Sequence, residues 1–215
     1  MCWRRKEKKV EEMSLNSVQK LYHIFNAKWY DLFRILWTRI VEFNLEDDFI
    51  KELNRNIKLN SKIVELGCGT GINIERMLSL GKPFSSYIGV DFSKDMQEIA
   101  RHKYGKEKNV KFIYGDLKKV KIPTKYDLVI STWVMSHLEK PSLVIKRFYK
   151  NLKPEGTMLL IFMTKPKWFI SFWLILLTPL FACSYVNIDE IKKMPGEKKI
   201  KTYAFDLATF LIIKK

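Results

Sequence analysis

The spacing of apolar and polar positions changes character near residue 62. Upstream, apolar side chains recur at helical spacing from Leu15, Val18 and Tyr22 through Trp29, Leu36 and Phe43. This predicts two or three helices over residues 15–53, with a break around Asn26–Asp31 or near Asn44. NRNIKLNSK (54–62) is a polar approach to the first strand. Downstream, short apolar runs alternate with amphipathic segments. Strands are predicted at IVELG (63–67), YIGVDF (87–92), VKFIYGD (110–116), YDLVIST (126–132) and TMLLIFM (157–163). Helices fall at INIERMLSL (72–80), Ser93–Tyr104 and SLVIKRFYKNL (142–152). Such alternation predicts a mostly parallel sheet with helices on both faces.

The tail departs from that rhythm. KKIKTYAFD (198–206) and ATFLIIKK (208–215) lie almost end to end, too close for the dozen or more residues that a parallel crossover needs. They are expected to pair antiparallel, after a short helix at Ile188–Lys193. Between strand five and this hairpin, Trp168 to Ile188 carries no charged side chain. A spanning helix needs roughly 20 mainly apolar residues. Here Ser171, Thr178, Ser184 and Asn187 dilute the run, and Pro179 breaks it. A span would also put the terminal hairpin across a bilayer from strand five and tear the sheet. Two readings survive: a buried cap helix, or an interfacial segment with Trp168 and Trp173 at headgroup level beside Lys165 and Lys167.

Composition narrows the class. At 47% hydrophobic, with nine glycines and seven prolines, the chain can bury a core and is neither fibrous nor disordered. Its 215 residues fit one decorated domain, or at most one domain and a small cap. Cys2, Cys68 and Cys183 match no metal or redox spacing, which suggests a reducing, cytoplasmic setting. The start, MCWRRKEKKVEEM, mixes both charges with no apolar run behind it, unlike a secretory signal. The net charge of +16 admits nucleic acid or an anionic membrane surface as partner, although the lysines are scattered from residue 6 to 215.

VELGCGTGINIE (64–75) sets Gly67, Gly69 and Gly71 between a strand and a helix, where a tight turn and close ligand approach are needed. A P-loop or a dinucleotide fingerprint would require glycine at position 72, which is Ile. Glu65 is placed to accept from an ammonium group, and would repel a pyrophosphate; its plainer role is to cap local backbone. Asp91 ends the second strand, where a carboxylate reaches ribose hydroxyls, and Asp116 ends the third, where it can accept from an adenine amine. Either acid alone is an ordinary strand end. Both together, after a GxGxG loop, form a nucleotide-binding constellation.

In these residues the chain resembles the class I S-adenosylmethionine-dependent methyltransferases. VELGCGTG, GVDFSKDM (89–96), YGDL (114–117), YDLVISTWVMSHL (126–138) and LKPEGTMLLIF (152–162) follow that family's motifs in order. The resemblance implies an α/β, Rossmann-like, seven-stranded mostly parallel sheet with an antiparallel C-terminal hairpin. It also implies a cofactor domain over 61–215 with an apolar lid at about 165–190, and an N-terminal helical cap or acceptor-site extension over 1–60. Gly67, Gly69 and Gly71 would then hug the methionyl part of S-adenosylmethionine and Glu65 its amino group. Asp91 would bind the ribose, while Phe92, Met96, Asp116 and Leu117 would bound the adenine. Ser131 would reach the methionyl end.

Methyl transfer from a sulfonium is a one-step displacement that needs alignment and exclusion of water, and no metal is obligatory. An oxygen or carbon acceptor must lose a proton, and His137 is the nearest candidate base, unless it only packs the helix start. Trp133 lines the acceptor pocket, faces the sulfonium or packs the core. KWYDLFRILWTRIVEF (28–43), with its Tyr30-Asp31 pair, is similar to the N-terminal helix of quinone- and phospholipid-modifying methyltransferases. Tyr30, Trp133, Trp168 and Trp173 are therefore the acceptor-pocket candidates. The leading expectation is methyl transfer to a lipid, isoprenoid quinone or similar small molecule, with peripheral contact to an anionic membrane. An RNA methyltransferase, motivated by the charge, and a non-catalytic cofactor-binding scaffold are the alternatives.

Overall fold

The computed structural model describes residues 44–167 and 184–215. Seven strands form one sheet in the order β3-β2-β1-β4-β5-β7-β6. They are β1 (Lys62–Leu66), β2 (Ser86–Asp91), β3 (Val110–Tyr114), β4 (Tyr126–Thr132), β5 (Leu152–Met163), β6 (Glu197–Tyr203) and β7 (Ala208–Lys214). The first five run parallel; β7 pairs antiparallel with β5, from Thr157↔Lys214 to Met163↔Ala208, and β6 antiparallel with β7. This is the sheet that the alternating pattern predicts, and the short link 204–207 between β6 and β7 imposes their antiparallel pairing. The chain winds outward from β1 to β3, then restarts beside β1 with β4. That reversal opens a crevice at the carboxyl ends of β1 and β4.

Strand side chains alternate between two apolar layers, as a pleated sheet buried on both faces demands. Ile63, Leu128, Ile130, Leu159, Ile161, Phe210 and Ile212 face one layer. Val64, Val129, Met158, Leu160, Phe162, Leu211 and Ile213 face the other. The first layer is covered by α1 (Leu45–Asn56), α2 (Ile72–Ser79) and α3 (Lys94–Tyr104); the second by α4 (Pro141–Asn151) and α5 (Ile188–Lys192).

Local sequence sets the helix ends. α1 places Leu45, Phe49 and Leu53 on one buried stripe, with Glu46, Asp47 and Asp48 in its first turn and Arg55 in its last, matching the helix dipole. Phe49 meets Phe210 edge-on at 5.9 Å between ring centroids, so α1 is part of the sheet's own core. On its outer side Asp48 accepts from Lys201 Nζ (2.6 Å) and the Tyr203 hydroxyl (2.5 Å), which ties α1 to the edge strand β6. Ser93 caps α3, accepting from Met96 N (3.4 Å), and Pro141 opens α4.

One detail differs from the sequence expectation. The fifth strand begins at Leu152 rather than 157: Leu152 pairs with Tyr126, and the ladder then slips so that Leu128 pairs with Thr157. Lys153–Gly156 looks like a turn because it is a bulge within the strand, with Glu155 at φ 61. The helices expected before Asn44 and the apolar stretch 168–183 lie outside the described residues, as do Cys2, Cys183, Tyr30, Trp168 and Trp173. Among the described residues no helix is long and apolar enough to cross a membrane, and no cluster of His, Cys, Asp or Glu is suited to a metal ion.

Candidate cofactor and acceptor site

The turn after β1 carries three glycines with positive φ: Gly67 (74°), Gly69 (51°) and Gly71 (89°). They do different things. A Cβ on Gly67 would lie 2.1 Å from a Val134 methyl, and one on Gly71 2.9 Å from the Tyr104 ring. Those two positions are closed by the protein's own side chains. A Cβ on Gly69 would meet only Met96 Sδ, at 3.8 Å. Gly69 therefore presents bare backbone to an open side, the cradle that a bound cofactor would fill.

Two carboxylates bracket this turn. Asp91, 6% exposed, accepts from Gly69 N through Oδ2 (2.7 Å) and from Ser93 N through Oδ1 (2.8 Å). It thus fixes the glycine turn to the end of β2. Burial pushes its carboxyl up, and the amides of Ser93, Gly69 and Phe92 pull it partly back. Glu65, 1% exposed, accepts from Asn73 Nδ2 through Oε1 (2.7 Å) and from the Tyr87 hydroxyl through Oε2. Burial raises its carboxyl from 4.5 to about 7, against the opposing pull of Tyr87, Asn73 and Arg76. Cys68 is buried, and its thiol is pushed up by burial and then by the charges of Asp91 and Glu65.

Behind Glu65 runs a polar chain that periodicity does not reveal. Asn73 on α2 also donates to Thr132 Oγ1 (3.0 Å), bridging the carboxyl ends of β1 and β4. Its Oδ1 accepts from Arg76 Nη1 (2.5 Å), and Arg76 Nη2 reaches Glu46 Oε2 on α1 (2.5 Å) while the guanidinium lies over Phe49. Asn73, Tyr87, Thr132 and Arg76 surround the candidate site and are not among the residues that the sequence singles out. The one available signal was an amide just inside a helix that follows a buried acid.

The other expected residues lie at or just after the carboxyl ends of β2, β3 and β4. Gly115 N donates to the Asp91 carbonyl (2.9 Å), which brings the turn after β3 beside the glycine turn. Asp116 is half-buried and caps that turn, with Oδ1 accepting from Lys118 N (2.8 Å); Leu117 is buried. Phe92 is half-buried and Met96 buried, both following Asp91. Ser131 is fully buried, and its hydroxyl donates to the Leu66 carbonyl (2.9 Å), joining β4 to β1.

Past β4, Trp133 has φ 67, an unusual conformation for a bulky side chain, and its N–H bonds the Ile161 carbonyl (2.7 Å). His137 closes a short 3-10 turn, Met135–His137, and is half-buried. Buried Ser136 anchors this turn: its Oγ accepts from Met163 N (2.8 Å) and its carbonyl from Ser184 N (2.7 Å). The chain therefore leaves β5 and returns at Ser184 on the same edge of the sheet that carries the glycine turn, Trp133 and His137.

A glycine turn with one open glycine, a buried acid before it and another at the end of the next strand lie together at the switch point of an α/β sheet, an arrangement that suits a nucleotide-like cofactor. Residues 64–160 match the family model described as "Methyltransferase domain". That match takes in somewhat under half of the chain, so residues 64–160 are similar to a methyltransferase domain, and S-adenosylmethionine is the cofactor that such a domain implies. Among curated proteins it is 32% identical over 135 residues to a malonyl-[acyl-carrier protein] O-methyltransferase of Priestia megaterium, covering 62% of this chain and 47% of the relative. It is 29% identical over 145 residues to a ubiquinone biosynthesis O-methyltransferase of Pelagibacter ubique, covering 65% of this chain and 58% of the relative. The chain thus spans about half the length of the curated relatives it matches. Among solved structures, an S-adenosylmethionine-dependent methyltransferase from Mesorhizobium loti superposes with a TM-score of 0.61 at 16% identity, covering 74% of this chain and 93% of that one. At that identity the likeness speaks for the fold.

Proposed function

We propose that the chain transfers a methyl group from S-adenosylmethionine to an oxygen of an apolar or amphipathic small molecule, free or carrier-bound. The observation that carries the cofactor half is the pairing of an open Gly69 with two buried, fixed carboxylates. Glu65 faces the methionyl ammonium and Asp91 the ribose hydroxyls, with Phe92, Met96, Asp116 and Leu117 around the adenine. Cofactor binding then favours ionised Glu65, because the ammonium supplies the positive charge that the apo site lacks.

The acceptor half rests on the relatives and on the anchoring of the chain at Ser136, Met163 and Ser184. Relatives are named as a malonyl-[acyl-carrier protein] O-methyltransferase and a ubiquinone biosynthesis O-methyltransferase, which favours an oxygen as the methyl acceptor. The uncharged stretch that the sequence places between β5 and Ser184 suits an apolar or amphipathic acceptor, and Lys165 and Lys167, both exposed, suit contact with an anionic surface. His137 serves as base when the acceptor is a hydroxyl; a carboxylate acceptor arrives ionised and needs none.

The test is to incubate the full chain with methyl-labelled S-adenosylmethionine and separate lipid, small-molecule, acyl-carrier-protein and RNA fractions. Label in the lipid, small-molecule or acyl-carrier-protein fraction, as a base-labile ester or an ether, supports the proposal. Label in RNA alone would refute the acceptor assignment, and cofactor binding without label anywhere would favour a scaffold.

A further inference from the structure

The turn after β3 carries Asp116 and Leu117, and its shape is imposed from outside. The turn's own amides are satisfied within it: the Asp116 carbonyl accepts from Lys119 N (2.9 Å) and Val120 N (2.8 Å), and its carboxylate from Lys118 N. Its outward carbonyls converge on one side chain of α4, thirty residues on. Arg147 Nη1 donates to the Leu117 carbonyl (2.7 Å), and Nη2 to those of Lys119 (3.0 Å) and Val120. The guanidinium rests on the ring of buried Phe148, 5.7 Å from its centroid. A planar fork with five donors can serve three carbonyls at once; an ammonium on a flexible stem holds fewer.

We propose that Arg147 is a positioning residue for cofactor recognition: it locks the 116–120 turn so that Asp116 and Leu117 present a fixed edge to the adenine. This rests on the proposed cofactor site, in which those two residues bound the base. Gly115 N on Asp91 and the fork on Leu117, Lys119 and Val120 hold the turn from both sides, so the Asp116 carboxylate meets the adenine amine without reorganising. Arg147 itself does not touch the cofactor.

The experiment measures the dissociation constants of S-adenosylhomocysteine and S-inosylhomocysteine, which has an oxygen in place of the adenine amine. The full chain is compared with Arg147→Met and Arg147→Lys, with far-ultraviolet circular dichroism as a check on folding. Wild type is expected to prefer the adenosyl compound. Arg147→Met is expected to weaken that compound roughly tenfold while the inosyl compound changes by less than about twofold, so the preference collapses. Arg147→Lys restores part of it, and carries the test if the Met variant does not fold. Equal weakening of both compounds, or unchanged affinities, would overturn the positioning role. If wild type binds neither compound, the cofactor site fails first and takes the role of Arg147 with it.

Discussion

Replacing Glu65 by Gln should stabilise the protein and remove its cofactor affinity. Glu65 is 1% exposed, with Asn73 and Tyr87 donating to its two oxygens. In the folded chain its carboxyl titrates at about 7, against an ordinary value of 4.5. A folded value above the unfolded one stabilises at low pH. That contribution is complete below 4.5 and is lost as pH rises through about 7. At roughly 1.4 kcal/mol per pH unit, the interval costs the folded state about 3 kcal/mol by pH 8, and under about 1 kcal/mol at pH 5. Glutamine keeps the shape and the network: its carbonyl accepts from Asn73 and its amide donates to the Tyr87 oxygen. It has no charge to bury. Thermal unfolding of the apo chain should therefore show Glu65→Gln melting about 6–12 °C above wild type at pH 8, with the gap largely closed at pH 5. Calorimetry with S-adenosylhomocysteine should show binding lost in the same variant. A variant no more stable than wild type at pH 8, or equally stabilised at both pH values, would rule out a buried charge as the cause.

Gly67→Ala should destabilise by several kcal/mol in thermal or denaturant unfolding, because the new methyl overlaps Val134 in a left-handed backbone; Gly69→Ala should cost only about 1 kcal/mol yet impair cofactor binding. His137→Ala should cut turnover on a hydroxyl acceptor by roughly 100-fold or more and leave a carboxylate acceptor nearly unaffected, in steady-state assays with each. Lys201→Met should cost about 1 kcal/mol at neutral pH. The Lys201 and Tyr203 hydrogen bonds hold the Asp48 carboxyl below its ordinary 3.8, so the stability they confer is present above that value and disappears as pH falls through the folded one. Unfolding curves of variant and wild type should therefore converge in acid.

Much of the fold is readable from the sequence because each element carries its own local signature. IVELG, YDLVIST and TMLLIFM are buried on both faces and read as apolar runs; the close spacing of β6 and β7 forces an antiparallel pair. The start of β5 was illegible because Pro154, Glu155 and Gly156 have turn chemistry, and only pairing with β4 makes them a bulge. The site divides in the same way. Its glycines and acids succeed one another at fixed steps along the chain, so spacing alone points to them. Asn73, Thr132 and Arg147 act through contacts that arise only when the sheet is assembled: Asn73 to Thr132 across the switch point, and Arg147 to the turn after β3. Sequence also could not separate the roles of the three glycines, since Val134 and Tyr104 decide which of them remain open.

Cofactor binding by the glycine turn and its two acids is tested most directly by equilibrium binding of S-adenosylhomocysteine to the full chain and to Asp91→Ala, with circular dichroism confirming that both are folded. One site per wild-type chain is expected, competitive with S-adenosylmethionine and lost in the variant. Absence of binding to the wild type, or undiminished binding to Asp91→Ala, would contradict the assignment.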